Sequence, residues 1–288
     1  MSDPLIISTV GVIGTGTMGK GIVQILAQCS HVSTVIWKSN SVEKGQRAFL
    51  ELETLFNRLA SKSRISKEDA ADFIGKISVV TDFPALSDAQ LIVEAVSEDM
   101  DAKREVFAKL SHVVGISTIL ASNTSSLSIT ELAGITKYPQ NVVGLHFFNP
   151  AALMRLAEVI CGLTTSSQTI STAMEFARKL GKDPVLVNEA PGFIVNRMLI
   201  PMINEAIGIL AEGVAEAEEI DKAMRLGANH PIGPLALADL IGNDVNLSIM
   251  ETLHNETGDP KYRAHPLLRK MVRANHLGRK TGQGFFKY

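Results

Sequence analysis

The stretch Val10-Gly-Val-Ile-Gly-Thr-Gly-Thr-Met-Gly-Lys-Gly21 decides how the rest of the chain is read. Apolar residues from Leu5 to Ile13 predict a buried strand. Gly14, Gly16 and Gly19 follow in G-x-G-x-x-G spacing, and Ile22, Val23, Ile25, Leu26 and Ala27 then recur at helical intervals. A strand, a glycine loop and a helix in that order make a seat for a pyrophosphate. The first glycine permits the tight turn, the second lets backbone approach the phosphates, and the third lets the helix sit close on the strand. Unpaired N–H groups at the helix N-terminus, and its positive dipole end, supply the attraction. Gly14, Thr15, Gly16, Thr17, Met18 and Gly19 are therefore candidate contacts for a dinucleotide.

After the helix at 17–29, Val32–Trp37 predicts a second strand. An acid at the end of that strand ordinarily bonds the adenosine ribose hydroxyls. Here Trp37-Lys38-Ser39-Asn40 offers none. The cation of Lys38 and the hydroxyl of Ser39 instead suit the extra phosphate of NADP, so within NAD(P)H the expectation leans to NADPH. Trp37 reads as a core aromatic, with stacking on adenine the lesser alternative. From Ser41 a helix runs to about Lys62, and Ser66-x-x-Asp69 caps a short one after it. Residues of about 42–75 thus form a helical hairpin inserted into the βαβ unit. Lys44, Arg47, Arg58, Lys62, Arg64 and Lys67 make it basic, either as a solvated face or as a dock for a phosphate-bearing ligand.

Further strands are predicted at Lys76–Thr81, Ala89–Val96, Thr118–Ser122, Asn141–Phe148, Leu156–Cys161 and Pro184–Val187. They are apolar on consecutive positions, as in a parallel sheet covered on both faces. Beyond Asn188 the strands stop, and helices are predicted at Phe193–Ala211 and at about 216–226, 234–254 and 264–275. The predicted fold is α/β. A Rossmann-type doubly wound sheet occupies residues 1–188 and an all-helical domain occupies 189–288.

The chain has 288 residues, 45% of them hydrophobic, enough to bury the cores of two domains. Its formal net charge of -2 gives no footprint for a nucleic-acid partner. Cys29 and Cys161, the two cysteines, supply neither a disulfide framework nor metal-site spacing, so no metal is expected. No apolar run has the length of a membrane span, and no basic segment precedes the first apolar run. A soluble, cytoplasmic protein is expected. The helices after Pro191 carry more apolar residues than one small layer buries, which predicts a homodimer through residues 191–288.

Polar residues inside apolar strands carry the chemistry. His146 sits in Val142-Val-Gly-Leu-His-Phe-Phe148, and Glu158 sits in Leu156-Ala-Glu-Val-Ile160. Alone, each is more often a satisfied core group than a catalyst. Together they solve each other's desolvation problem, because a carboxylate on one ring nitrogen fixes the tautomer and makes the other nitrogen the base. Such a base can take a proton from an alcohol. Ala121-Ser-Asn-Thr-Ser-Ser126 ends its strand in hydroxyls and an amide, where ligands sit in open α/β sheets.

These residues resemble the short-chain L-3-hydroxyacyl-CoA dehydrogenases, bacterial 3-hydroxybutyryl-CoA dehydrogenases in particular. The resemblance runs essentially end to end. It is most specific at Ala121-Ser-Asn-Thr-Ser-Ser-Leu-Ser-Ile-Thr130, His146-Phe-Phe-Asn-Pro150, Ala190-Pro-Gly-Phe-Ile-Val-Asn-Arg197 and Gly278-Arg-Lys-Thr-Gly-Gln-Gly-Phe-Phe286. It implies an NAD(P)-dependent oxidoreductase of fatty-acid and butyrate metabolism that interconverts acetoacetyl-CoA and 3-hydroxybutyryl-CoA. By the same resemblance His146 is the general base and Glu158 orients it, while Ser125 and Asn196 contact the reacting acyl group. Glu98 and Lys103 fall at the nicotinamide side of the cofactor, with Asn123 and Asn149 nearby. The thioester of a short-chain acyl-CoA lies along the inserted hairpin. A sugar-acid (gulonate-type) 3-dehydrogenase of the same fold is one alternative, but it leaves the long hairpin without a purpose. A non-catalytic nucleotide-sensing protein is the other, and an intact set of His146, Glu158, Ser125 and Asn196 argues against it.

Overall fold

Strands and helices alternate through the first of two units, which runs to Glu189; the second starts at Ala190. The computed structural model describes residues 7–288, so Leu5 and Ile6 of the first predicted strand lie outside the described residues. In chain order the first unit holds β1 (Thr9–Ile13), α1 (Thr17–Gln28), β2 (Thr34–Lys38), α2 (Val42–Ser61), α3 (Lys67–Gly75) and β3 (Ile77–Val80). It continues with β4 (Leu91–Glu94), α4 (Met100–Ser111), β5 (Ile119–Ser122), α5 (Ile129–Gly134), β6 (Val142–Phe147), β7 (Leu156–Cys161), α6 (Ser167–Lys179) and β8 (Asp183–Asn188). Helices α2 and α3 form the inserted hairpin. Its second helix starts in a full capping box, with Ser66 accepting from the Asp69 N–H and Asp69 accepting from the Ser66 N–H.

The eight strands make one sheet in the order β3-β2-β1-β4-β5-β6-β7-β8. The chain leaves β1 towards β2 and β3 on one side, then returns to lay β4 on the other. That reversal opens a crevice beyond the C-terminal ends of β1 and β4, the place where open α/β sheets take ligands. Val10, Val12, Leu26, Val35, Trp37, Phe56 and Leu91 pack in the core of this unit. Each large apolar side chain fully buried there contributes about 1.5–3 kcal/mol.

One pairing departs from the parallel pattern: β7 runs antiparallel to β6. Consecutive apolar positions led to the expectation of a parallel sheet, but they report only that a strand is covered on both faces, which holds for β7 in either direction. The consequence is local and chemical. Residues directly opposite in an antiparallel pair project from the same face, and the register sets His146 against Glu158.

The second unit is helical: α7 (Val195–Ala211), α8 (Ala217–Gly227), α9 (Pro234–Ile241), α10 (Asn243–Thr257) and α11 (Pro266–Arg273). Ile203, Ile207, Leu235, Met250, Leu253 and Leu268 form its core. The helix predicted over 234–254 is two helices. Gly242 breaks it with φ +107°, and the side-chain amides of Asn243 and Asn246 tie the joint by donating to the His276 and Ala238 carbonyls, each at 3.0 Å. The Gly278–Phe286 motif folds back on α9. There the buried Asp239 carboxylate accepts the backbone N–H groups of Phe285 and Phe286, both at 2.9 Å.

Candidate active site

The glycine loop leaves β1 at the reversal point of the sheet. Gly14 has φ +113°, and a Cβ there would overlap the Ala95 carbonyl at the end of β4. A Cβ at Gly19 would overlap the Gly14 carbonyl, so the first turn of α1 closes directly on the loop. A Cβ at Gly16 would meet no protein atom within 4 Å, so protein packing does not require glycine there. Gly16 is the N-cap of α1, and no side chain caps that end. Gly16 and Thr17 are exposed, while Thr15 and Met18 are half-buried. Uncapped N–H groups at a helix start, reached through a loop of small residues, fit the pyrophosphate of a dinucleotide.

His146 and Glu158 stand at the same edge of the sheet as that loop, near the end of β6 and the start of β7. His146 Nδ1 lies 2.8 Å from Glu158 Oε2, and the two residues are 7% and 1% exposed. A carboxylate accepts only, so the proton between them belongs to Nδ1, and Nε2 is the basic nitrogen. The Phe148 ring packs against the imidazole with centroids 4.4 Å apart.

Beside this pair lies a network that runs from buried Glu94 and Lys103 out to Glu98 near the surface. Lys103 has no exposed surface, and its ammonium donates to both oxygens of the equally buried Glu94, at 2.8 and 3.0 Å. Its other carboxylate neighbour is Glu98, at 3.5 Å. Glu98 Oε1 accepts from the Thr124 hydroxyl (2.7 Å), the Ser125 N–H (2.7 Å) and the Ser125 hydroxyl (2.8 Å). Burial alone would raise the Glu98 pKa. The charge of Lys103 and the hydrogen bonds from Thr124 and Ser125 outweigh it, and the carboxyl is held below the usual glutamate range. Thus Lys103 stands behind Glu98, and its influence outside passes through that carboxylate. Asn123 bridges two strands, its Oδ1 accepting the Phe147 N–H at 2.9 Å. Asn149 is exposed in the loop after β6 and precedes a cis proline. Asn196 stands in the first turn of α7, in the second unit.

The end of β2 differs from its predicted surroundings. Lys38 is 6% exposed and Ser39 1%. The Lys38 ammonium donates to Asn40 Oδ1 at 3.0 Å and sits 4.4 Å over the Phe83 ring. Burial first, and the nearby Lys109 second, lower its pKa. An ammonium on a strand that is covered on both faces turns to an aromatic face and an amide rather than to solvent. Ser39 donates its N–H to the Val80 carbonyl at 2.8 Å. In the hairpin, Lys44, Arg47, Arg58, Lys62, Arg64 and Lys67 are all exposed, and Arg47 pairs with Glu51 at 3.1 Å.

Sequence reasoning passed over Glu94 and the hydrogen-bonding side of Trp37, and it named the hydroxyls of Ser122 and Thr124 without their carboxylate partners. Glu94 carried the same signal as His146, a charged residue in the apolar run Leu91-Ile-Val-Glu94. Ser122 donates to its Oε2 at 2.6 Å. Among the described residues no group of three or more His, Cys, Asp or Glu could hold a metal ion, and no helix is long and apolar enough to cross a membrane.

A mostly parallel sheet with a glycine loop at its reversal point is a fold that nicotinamide-dependent dehydrogenases use. The chain belongs to the 3-hydroxyacyl-CoA dehydrogenase family of NAD-dependent oxidoreductases. Residues 9–190 match the 3-hydroxyacyl-CoA dehydrogenase NAD binding domain and residues 192–288 match its C-terminal domain. The chain is 53% identical to the 3-hydroxybutyryl-CoA dehydrogenase of Clostridioides difficile, over 96% of this chain and 98% of that one. It is 38% identical to the mitochondrial hydroxyacyl-coenzyme A dehydrogenase of Sus scrofa, over 99% and 92%. The crystal structure of (S)-3-hydroxybutyryl-CoA dehydrogenase from Ralstonia eutropha superposes with a TM-score of 0.94 at 44% identity, covering 98% of this chain and 99% of that one.

Proposed function

We propose that this chain is a 3-hydroxybutyryl-CoA dehydrogenase that interconverts acetoacetyl-CoA and 3-hydroxybutyryl-CoA using NAD(P)H. The observation that carries the proposal is the buried His146–Glu158 contact of 2.8 Å between neighbouring strands. The relatives from Clostridioides difficile and Ralstonia eutropha support the short-chain substrate. The nicotinamide, when bound, supplies or accepts a hydride at C4. In reduction, protonated His146 donates to the oxygen developing at C3 of the acyl group; in oxidation, it takes the proton of the 3-hydroxyl. Glu158 holds the ring and balances the imidazolium charge. Ser125 and Asn196 hold the oxygens of the acyl group, a role that rests on their motifs. Glu98, backed by Lys103, acts with Asn123 and Asn149 on the nicotinamide side. Holding the reacting carbon against the nicotinamide supplies much of the rate, and charge stabilisation around the alkoxide supplies another part.

The lean to NADPH rests mainly on the end of β2, where no carboxylate bonds the ribose hydroxyls or repels a phosphate. Lys38 adds to it when a dianionic phosphate draws its ammonium from Asn40. A homodimer through residues 191–288 completes the reading. The test is turnover of acetoacetyl-CoA by the purified chain with NADH and NADPH in parallel. Turnover with both, faster with NADPH, is expected. No turnover with either, or turnover confined to a free sugar acid, would overturn the assignment.

A further inference from the structure

The chain has one tryptophan, and it lies directly behind the phosphate loop. Trp37 is on β2, paired in register with Val12 of β1, and has no exposed surface, so stacking on adenine is closed to it. Its indole N–H donates to the Gly14 carbonyl at 2.8 Å. The Gly14 N–H donates in turn to the Lys38 carbonyl at 3.1 Å. Two successive residues of β2 therefore hold both polar atoms of the first glycine of the loop.

The orientation of the next amide follows. The peptide joining Gly14 to Thr15 is planar and trans, so its N–H points opposite to its C=O. A carbonyl turned inward onto a buried indole sets the Thr15 N–H outward, away from the core. Accepting a hydrogen bond also polarises the peptide and strengthens its N–H as a donor. Gly14 has φ +113°, in the region open mainly to glycine, so the residue's own torsions restrict this peptide little and an external clasp has something to fix. Aliphatic residues fill a strand core equally well. The indole there also supplies a donor that reaches the loop.

We propose that Trp37 is a positioning residue for cofactor binding, its indole N–H holding the Gly14–Thr15 peptide in the geometry that receives the pyrophosphate. The proposal takes from the dehydrogenase reading only what the loop binds. Because Trp37 is the chain's one tryptophan, growth with benzothienylalanine replaces its N–H by sulfur at this position alone, with the shape kept. Trp37→Phe removes the same donor genetically. Cofactor Kd is measured by calorimetry, beside KM for cofactor, KM for acetoacetyl-CoA, kcat and Tm. Both variants are expected to raise cofactor Kd and KM about 3- to 10-fold, the loss of one hydrogen bond, with kcat and acyl-CoA KM within about 2-fold. A purely packing role would lower Tm and disturb both substrates together. If Trp37→Phe does not fold, the isosteric replacement decides. An unchanged cofactor Kd, or an equal rise in acyl-CoA KM, would overturn the proposal. Calorimetric binding does not need turnover, so failure of the proposed substrate would show separately.

Discussion

His146 and Glu158 are each costly to bury alone and inexpensive to bury together, and for that reason the pair was legible in the sequence as two polar residues in apolar strands. Substituting Glu158→Gln keeps the shape and removes the charge that balances the imidazolium, so kcat is expected to fall at least about 10-fold with cofactor affinity retained. Glu98 makes a pH-dependent case. Its folded pKa lies below the ordinary value near 4.5, so its contribution to stability is complete above that value and disappears as pH falls through the lower, folded pKa. The Tm difference between wild type and Glu98→Gln is therefore expected to be constant near neutrality and to shrink in acid. A difference that grows on acidification would contradict the role given to Lys103, Thr124 and Ser125. Glu94 was harder to interpret from the sequence. It had the same signal as His146, but its partner Lys103 lies on α4, and nothing in the spacing announces that a lysine there points into the sheet.

The strand–loop–helix of β1 and α1 was legible in kind, because periodicity and glycine spacing are local properties of the chain, although β1 starts at Thr9 and not with the apolar run. Strand direction was not: β7 looks like its parallel neighbours in composition, yet its reversal is what puts Glu158 opposite His146. The break between α9 and α10 was hidden for a related reason. Gly242 sits in an apolar pattern that continues past it, and the Asn243 and Asn246 contacts that stabilise the joint arise only on folding. At the end of β2 the missing acid was visible, whereas the burial of Lys38 under Phe83 was not. That burial sharpens the cofactor test. Lys38→Met keeps the aliphatic stem and removes the ammonium. If Lys38 turns to a bound phosphate, kcat/KM for NADPH falls about 10-fold while that for NADH changes little. An unchanged NADPH:NADH ratio would leave the preference to the missing carboxylate alone.

Each of the two units has its own apolar core, and each leaves large apolar side chains in the open, among them Leu153 and Leu163 in the first. Met198 is 73% exposed, Val214 69% and Leu226 78%. Exposed apolar residues on a small helical unit are the usual raw material of a self-complementary interface. Sedimentation or light scattering at micromolar concentration is expected to give a dimer, and Leu226→Lys to shift it towards monomer if Leu226 lies in that interface. A wild-type monomer at that concentration would rule the dimer out. The end of the strand pattern at Asn188 was legible in the sequence. Which helix faces would meet a second copy was not, because core and interface positions share the same apolar signal.

The most direct measurement is steady-state reduction of acetoacetyl-CoA by His146→Ala with NAD(P)H as hydride donor, with cofactor Kd determined on the same preparation. The acid–base assignment expects kcat to drop by about 10²- to 10⁴-fold while cofactor Kd and Tm stay close to wild type. A His146→Ala enzyme that turns over at nearly the wild-type rate would contradict it.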